Sequence, residues 1–141
     1  MKLRDIMSRE IASLKQDDSI EAAAQLMKQH DVGSIPITNQ GKVIGIVTDR
    51  DITLRSVASN NQSKSLKEVM TSNPSVGSPE MDVHEAARIM GEKQIRRLPV
   101  VENNCLVGMV SLGDISVESK LQDNAEVALK NISKPSSNAF K

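Results

Sequence analysis

The order of hydrophobic and polar positions predicts a helix, a β-hairpin and a second helix in the first part of the chain. Between residues 19 and 30, apolar residues recur at i, i+3, i+4 and i+7, the spacing of one helix face. They are Ile20, Ala23, Ala24 and Met27. Two apolar runs, 34–38 and 42–48, then flank Asn39-Gln40-Gly41, a turn typical of hairpins. A further helix is predicted to begin at Asp49.

This pattern returns 63 positions later, and residues 3–52 align with 66–115 without a gap. The aligned pairs include Met7 with Met70, Pro36 with Pro99, and Gly45 with Gly108. The period is too long and the copies are too few for a solenoid. The sequence therefore predicts an α+β protein of two pseudo-symmetric halves. Because proline cannot donate to a strand ladder, each strand proline is placed on an edge or where pairing stops.

The repeat divides the chain into five predicted segments. They are a first repeat over 1–58, a polar linker over 59–65, a second repeat over 66–120, a C-terminal helix over 121–132 and a disordered tail over 133–141. Each repeat opens with a short helical turn, around Asp5 and Glu68. Asp18 and Asp82 are predicted to cap the longer helices, one residue out of register with each other.

Each hairpin ends in a hydroxyl residue that is followed three positions later by a carboxylate: Thr48 with Asp51, and Ser111 with Asp114. The hydroxyl and the free amide groups of the next helix's first turn can hold a phosphate. The carboxylate can accept hydrogen bonds from a sugar diol. The same spacing is also that of a helix capping box, which stabilises a helix by about 1 kcal/mol and needs no ligand. Both interpretations are open, and one hydroxyl can serve both.

Taken together, the repeated helix, the apolar-Pro-apolar strand and the Gly-apolar-apolar-Thr/Ser-x-x-Asp strand resemble a CBS domain, the module type named after cystathionine β-synthase. Two copies in tandem resemble a CBS pair, or Bateman module, over residues 3 to about 118. The resemblance implies two β-α-β-β-α repeats packed sheet to sheet. It also implies two clefts that hold adenosyl compounds such as AMP, ADP, ATP or S-adenosylmethionine.

The resemblance also assigns ligand-binding residues, position by position. They are Ile35, Pro36, Thr48, Arg50 and Asp51 in one cleft and Arg96, Arg97, Leu98, Pro99, Ser111 and Asp114 in the other. The strand-end hydroxyls would contact phosphate, the carboxylates the ribose, and the residues at the strand prolines the adenine. Basic residues ahead of the second proline would meet phosphate. The first repeat has Gly33 and Ser34 at the positions of Arg96 and Arg97, so we expect the two clefts to differ in charge. Arg50 could supply a positive charge to the first cleft.

Composition narrows the functional classes. Eighteen basic and 18 acidic residues give zero net charge, which argues against a nucleic-acid or anionic-membrane partner. With one Phe and no Trp or Tyr, stacking of bases on aromatic side chains is excluded. No run is long and apolar enough to span a bilayer, and a single cysteine fits a cytoplasmic location. Cys105 is expected to be buried or half-buried, and no histidine or cysteine spacing indicates a metal site.

No nucleophile with an adjacent base and no nucleotide-hydrolysing loop is present, so we do not expect an enzyme. The leading hypothesis is a regulatory protein that binds an adenine nucleotide or S-adenosylmethionine as a ligand and signals to an effector protein. It would form a homodimer through the apolar residues of the two short opening helices. These are Leu3, Ile6, Met7, Leu66, Val69 and Met70. The alternative is a ligand-free dimerisation scaffold, in which both Thr/Ser-x-x-Asp elements are only caps.

Overall fold

A computed structural model describes residues 1–60, 65–116 and 128–133 of the chain. Residues 61–64 of the predicted linker, 121–127 of the predicted C-terminal helix and 134–141 of the predicted tail lie outside the described residues. The chain forms two compact units. One, here called the Thr48 unit, comprises Glu10–Pro74 and Val101–Leu106. The other, here called the Ser111 unit, comprises Met1–Arg9, Ser75–Val100 and the chain from Val107 onward.

The Thr48 unit follows the predicted order of a helix, a hairpin and a second helix. Its elements are α1 (Ile20–His30), β1 (Ser34–Asn39), β2 (Lys42–Thr48), α2 (Asp49–Ile52) with a π-helical continuation (Thr53–Val57), and β3 (Thr71–Ser72). β2 pairs antiparallel with both β1 and β3, so β1 is an edge strand. The core is formed by Ala23, Ile35, Ile37, Val47, Leu66 and Val69.

The Ser111 unit repeats this order. Its elements are α3 (Val83–Lys93), β4 (Arg97–Glu102), β5 (Cys105–Ser111) and α4 (Leu112–Ser116), while the tip of the β4–β5 hairpin belongs to the Thr48 unit. Its core includes Val83, Ala86, Met90, Leu98, Val100 and Val110. Residues 128–132 are also helical, and Ala128 is buried in this core. No helix among the described residues is long and apolar enough to cross a membrane.

Both hairpins turn through two residues with positive φ. The pairs are Gln40 with Gly41, at 52° and 82°, and Asn103 with Asn104, at 53° and 67°. Two consecutive positive φ angles define the type I′ turn, whose twist matches that of the flanking strands. Glycine and asparagine tolerate positive φ best, so Gly41, Asn103 and Asn104 place the two turns at the predicted positions.

The N-cap of α1 differs from the prediction, whereas that of α3 agrees with it. The N-cap of α1 is Ser19, whose hydroxyl accepts a hydrogen bond from the amide of Ala22 at 3.0 Å. Asp18 instead accepts from the amide of Lys15 at 2.7 Å. Asp82 caps α3 as predicted. Because Ser19 aligns with Asp82 in the repeat, the two caps are in register, and the predicted offset of one residue was wrong.

Pro36 illustrates how a strand accommodates proline. Thr38, two residues on, donates its amide to the carbonyl of Leu14 at 2.8 Å, on the edge of β1 that faces away from β2. Backbone groups two residues apart point to the same edge, so the missing amide of Pro36 removes no hydrogen bond to β2. The predicted edge position of this proline is therefore confirmed.

The first residues of each repeat pack into the unit that contains the body of the other repeat. The amide of Leu66 donates to the carbonyl of Asp18 at 2.9 Å, and the amide of Leu3 donates equivalently to Met81 at 2.9 Å. Each leucine begins a short 3₁₀ turn and is fully buried. Neither repeat therefore completes its hydrophobic core with its own residues alone.

This packing corrects two expectations about surface residues. Of the six residues predicted to form an apolar face for a second copy of the chain, Leu3, Leu66 and Val69 are fully buried within their own units. The other three are partly buried and pack against the same cores. Cys105 was expected to be buried or half-buried, but it is exposed at the start of β5, beside the hairpin turn.

The opening segments, residues 3–7 and 66–70, each place a methionine directly against a glycine of a strand. A β-carbon at Gly108 in β5 would overlap the side chain of Met7, and one at Gly45 in β2 would lie 2.7 Å from the sulfur of Met70. Glycine is therefore required at both positions if these methionines are to lie flat on the strands.

We predict that Gly108→Ala lowers the free energy of unfolding by about 1–3 kcal/mol, because the methyl group overpacks against Met7. All three nearest atoms belong to Met7, so the change should be coupled to that side chain. In a double-mutant cycle with Met7→Ala, measured by urea denaturation, the cost of the alanine at 108 should fall by at least half. Equal costs in both backgrounds would contradict this packing.

Candidate functional site

The second strand of each hairpin meets the following helix at a corner, here called the Thr48 corner (residues 48–51) and the Ser111 corner (residues 111–114). Both corners form the same reciprocal pair of hydrogen bonds. At the Thr48 corner, the amide of Asp51 donates to Thr48 Oγ1, and the amide of Thr48 donates to Asp51 Oδ2, both at 3.0 Å. At the Ser111 corner, the equivalent distances are 3.0 Å and 2.8 Å, with Ser111 and Asp114. This is a capping box, as one of the two sequence interpretations predicted.

A third hydrogen bond ties each corner to the start of the hairpin. The amide of Asp49 donates to the carbonyl of Gly33 at 3.0 Å, and the amide of Leu112 donates to the carbonyl of Arg96 at 2.9 Å. Consequently the residues just before β1 and β4 lie beside the corners. The predicted positions Arg96 and Arg97 are thus brought next to Ser111 and Asp114.

Strand alternation divides the remaining candidate residues between two faces. Ser34 is directly opposite Thr48, and Pro36 is opposite Ile46, so Ser34, Pro36 and Thr48 share one face of the hairpin. Ile35 faces the other way and is buried in the core of the Thr48 unit. Leu98 is likewise buried in the core of the Ser111 unit, next to Pro99 on the same strand. Pro36 therefore lies on the corner's face, whereas Ile35 and Leu98 lie in cores.

Ser34 is a residue whose importance sequence reasoning missed. The residue is buried, with 8% exposure, and its Oγ is the one buried side-chain nitrogen or oxygen atom of the described residues that has no hydrogen-bond partner. Leaving such a group unpaired costs about 1–3 kcal/mol. The sequence signal for Ser34 is its alignment with Arg97. In the sequence analysis, this alignment indicates only that the first repeat lacks a positive charge at that position.

The Thr48 corner also carries its own carboxylate at the start of α2. Asp49 Oδ1 accepts a hydrogen bond from the amide of Arg50 at 2.8 Å. A β-carbon on Gly33 would lie 3.3 Å from Asp49 Oδ2, so the carboxylate covers the glycine that aligns with Arg96. The three amide groups of residues 49–51 therefore all have acceptors within the Thr48 unit.

Two arginines near the Thr48 corner have different surroundings. Arg50 is exposed at the first turn of α2. Arg55, which was not among the predicted residues, lies 3.8 Å from Asp51 Oδ1 and donates to the carbonyl groups of Val69 and Met70. The i, i+4 spacing of Asp51 and Arg55 was the sequence signal for this pair. Arg55 thus links the corner to the opening segment of the second repeat.

The Ser111 corner lacks these features. Leu112 and Gly113 stand where the other corner has Asp49 and Arg50, so no carboxylate follows Ser111 directly. Arg96 is exposed and Arg97 is half-buried. Within the described ranges, neither guanidinium has a hydrogen-bond or ion-pair partner. The Thr48 corner therefore combines two aspartates with two arginines, whereas the Ser111 corner combines one aspartate with two arginines.

The chemical groups at the two corners are hydroxyls, carboxylates and guanidinium groups. Among the residues that the structure describes, no three His, Cys, Asp or Glu side chains are grouped so as to hold a metal ion. The hydroxyls of Thr48 and Ser111 accept from backbone amides and have a carboxylate, not an imidazole or amine, as their neighbour. Two α+β repeats with one capped corner each define a class of protein, the tandem α+β repeat modules.

Comparison with known proteins identifies the class. The CBS domain model matches residues 3–57 and again 66–119, and the chain belongs to the CBS domain family. Among curated proteins, it is 42% identical over 132 residues to the CBS domain-containing protein YhcV of Bacillus subtilis, covering 93% of this chain and 94% of that protein. The predicted tandem CBS family and α+β fold are confirmed.

Two solved structures extend this comparison. The CBS domain pair of protein MJ0100, in complex with 5-methylthioadenosine and S-adenosyl-L-methionine, is 30% identical with a TM-score of 0.74, covering 83% of this chain and 94% of that one. Hypoxic Response Protein I, with two coordinated zinc ions, is 30% identical with a TM-score of 0.78, covering 84% of this chain and 98% of that one.

We predict that Thr48→Ala and Ser111→Ala each lower the free energy of unfolding by about 1 kcal/mol, because each removes the acceptor for a first-turn amide. The matched control is Thr53→Ala, whose hydroxyl bonds only to the carbonyl of Asp49 one turn earlier. Thermal denaturation followed by circular dichroism should show little change for the control. A loss at position 53 as large as at position 48 would argue against the capping role.

Proposed function

We propose that this chain is a non-catalytic regulatory protein that binds adenine nucleotides or related adenosyl metabolites at its two corners. The observation that carries the proposal is the repetition of one hydroxyl–carboxylate corner, with the same hydrogen bonds, in both units. The presence of adenosyl ligands in the related CBS pair of MJ0100 supports it. The ligand classes are AMP, ADP, ATP and S-adenosylmethionine.

The corner can bind a ligand without losing its cap. Thr48 Oγ1 and Ser111 Oγ use a lone pair to accept from the helix amide, so each hydroxyl proton remains free to be donated to an oxygen of the ligand. In each carboxylate, Oδ2 accepts the backbone amide and Oδ1 can still accept from a ribose hydroxyl. Capping therefore orients the same atoms that a nucleoside would contact.

The Ser111 corner is the better candidate for a phosphorylated ligand. Arg96 and Arg97 carry two positive charges next to the start of α4 in a chain with zero net charge. Guanidinium groups bind phosphate through paired hydrogen bonds, and unpaired ones need not break an existing ion pair first. We therefore assign AMP, ADP or ATP to this corner.

Regulation follows if ligand binding favours one conformation or assembly over another, which requires a difference in affinity between the two. The proposed readers of this change are an effector protein and a second copy of the chain in a homodimer, in the cytoplasm. A non-catalytic role is consistent with the similarity to YhcV over 94% of that protein's length.

The alternative function is a ligand-free dimerisation scaffold. It is favoured by the finding that the capping boxes are complete without any ligand. The two functions differ in what Asp51→Ala and Asp114→Ala should do. A scaffold would lose some stability and keep its partner, whereas a sensor would also lose its response to nucleotide.

We predict that a saturating adenosyl ligand raises the thermal midpoint by a few degrees, since a ligand at 100 times its Kd adds about 2.7 kcal/mol. Circular dichroism or calorimetry should be used, because the chain has no Trp or Tyr. The panel is AMP, ADP, ATP and S-adenosylmethionine at millimolar concentration. The Asp51→Ala/Asp114→Ala variant should lose the shift, and the control Asp17→Ala, an exposed aspartate, should keep it.

No shift with any of the four compounds would count against adenosyl binding and favour the scaffold. Native mass spectrometry of the freshly purified protein provides an independent check, because a tightly bound adenosyl compound would add its own mass to that of the chain.

A further inference from the structure

The hydroxyl of Ser34 is a buried polar group without a hydrogen-bond partner beside the Thr48 corner. It is buried, it has no partner in the described part of the chain, and it lies directly across the hairpin from Thr48. Opposite residues of an antiparallel pair project from the same face of the sheet. The hydroxyl is therefore directed to the face on which the capping hydroxyl of Thr48 lies.

The chemistry of Ser34 restricts what this position can bind. A serine hydroxyl is neutral and can donate one hydrogen bond and accept others, so it pairs with a hydroxyl, an ether oxygen or a ring nitrogen. The aligned residue in the Ser111 unit is Arg97, a permanent cation. The position that would favour an anion in one unit therefore favours an uncharged group in the other.

Asp49 adds a second restriction at the same corner. Its carboxylate accepts the amide of Arg50 and covers Gly33, so a negative charge already occupies the first turn of α2. A phosphate placed there would meet a like charge and would have to displace the carboxylate from that amide. Leu112, the aligned residue of the Ser111 unit, presents no such charge.

We infer that the Thr48 corner selects an adenosyl ligand without phosphate, such as a nucleoside, with Ser34 as a contact residue and Asp49 excluding phosphate. This inference rests on the proposed function and specifies it for one of the two corners. The Ser111 corner, with Arg97 and Leu112 at the aligned positions, accepts the phosphorylated ligand. The chain then reports two chemically different metabolites.

The test compares adenosine with AMP, which differ only in the phosphate. Each corner contains one glycine, Gly33 or Gly113, whose amide signal serves as a reporter in two-dimensional NMR titrations of the full chain. For the Gly33 signal, half-saturation should require about tenfold less adenosine than AMP, because the phosphate meets Asp49. For the Gly113 signal, the order should reverse.

Two variants separate the contributions at the Thr48 corner. Asp49→Asn keeps an acceptor for the Arg50 amide but removes the charge, so AMP should bind there about tenfold more tightly. Asp17→Asn, the matched control, should change neither signal's titration. Ser34→Ala should weaken adenosine about fivefold at the Gly33 signal. It should not lower the thermal midpoint of the free protein, because it removes a hydroxyl that has no partner.

The possible failures are distinguishable. If the Gly33 signal responds to AMP at the same or lower concentration than to adenosine, the selection is wrong although the proposed function stands. If Gly113 responds and Gly33 responds to neither compound, the inference fails, and the proposed function stands for the Ser111 corner but not for the Thr48 corner. If neither signal responds to either compound, the proposed adenosyl binding fails together with the inference.

Discussion

The pairing of backbone amides at the start of a helix is the constraint on which this structure depends. Residues 49 and 112 donate to the carbonyl groups ahead of the hairpins, and residues 51 and 114 donate to strand-end hydroxyls. These bonds join the beginning and the end of each hairpin to the helix that follows. Because first-turn amides lack partners within the helix, a hydroxyl and a carboxylate at these spacings stabilise the corner. In the proposed function, stability and ligand binding therefore depend on the same atoms.

The exchange of opening segments makes the two repeats depend on each other. Leu66 completes the core around α1, and Leu3 completes the core around α3, although each leucine belongs to the other repeat in sequence. Each approach is permitted by a glycine in the middle of a strand, Gly45 or Gly108, over which a methionine lies. A change in the opening segment of one repeat should therefore affect the unit that contains the body of the other.

Much of this fold was predictable because each local sequence pattern occurs twice, once in each repeat. Helix periodicity, the type I′ turns and the spacing of Thr48 and Asp51 all depend on neighbours in sequence, and the 63-residue offset confirmed each pattern in a second copy. The burial of Leu66 was not predictable, because it depends on packing against distant residues. The missing partner of Ser34 and the placement of Asp49 over Gly33 depend on side-chain geometry, which residue spacing does not contain. The cap of α1 was assigned to Asp18 because two adjacent residues, Asp18 and Ser19, both suit an N-cap.

The central claim is that the capped corners are the ligand-binding sites, and a crystal structure of the protein grown with AMP and adenosine tests it most directly. The account predicts ribose hydroxyls within hydrogen-bond distance of the Asp51 and Asp114 carboxylates. It also predicts phosphate beside Ser111 and Arg97, and none beside Asp49. Ligand density elsewhere on the chain, with both capping boxes unchanged and open to solvent, would contradict it.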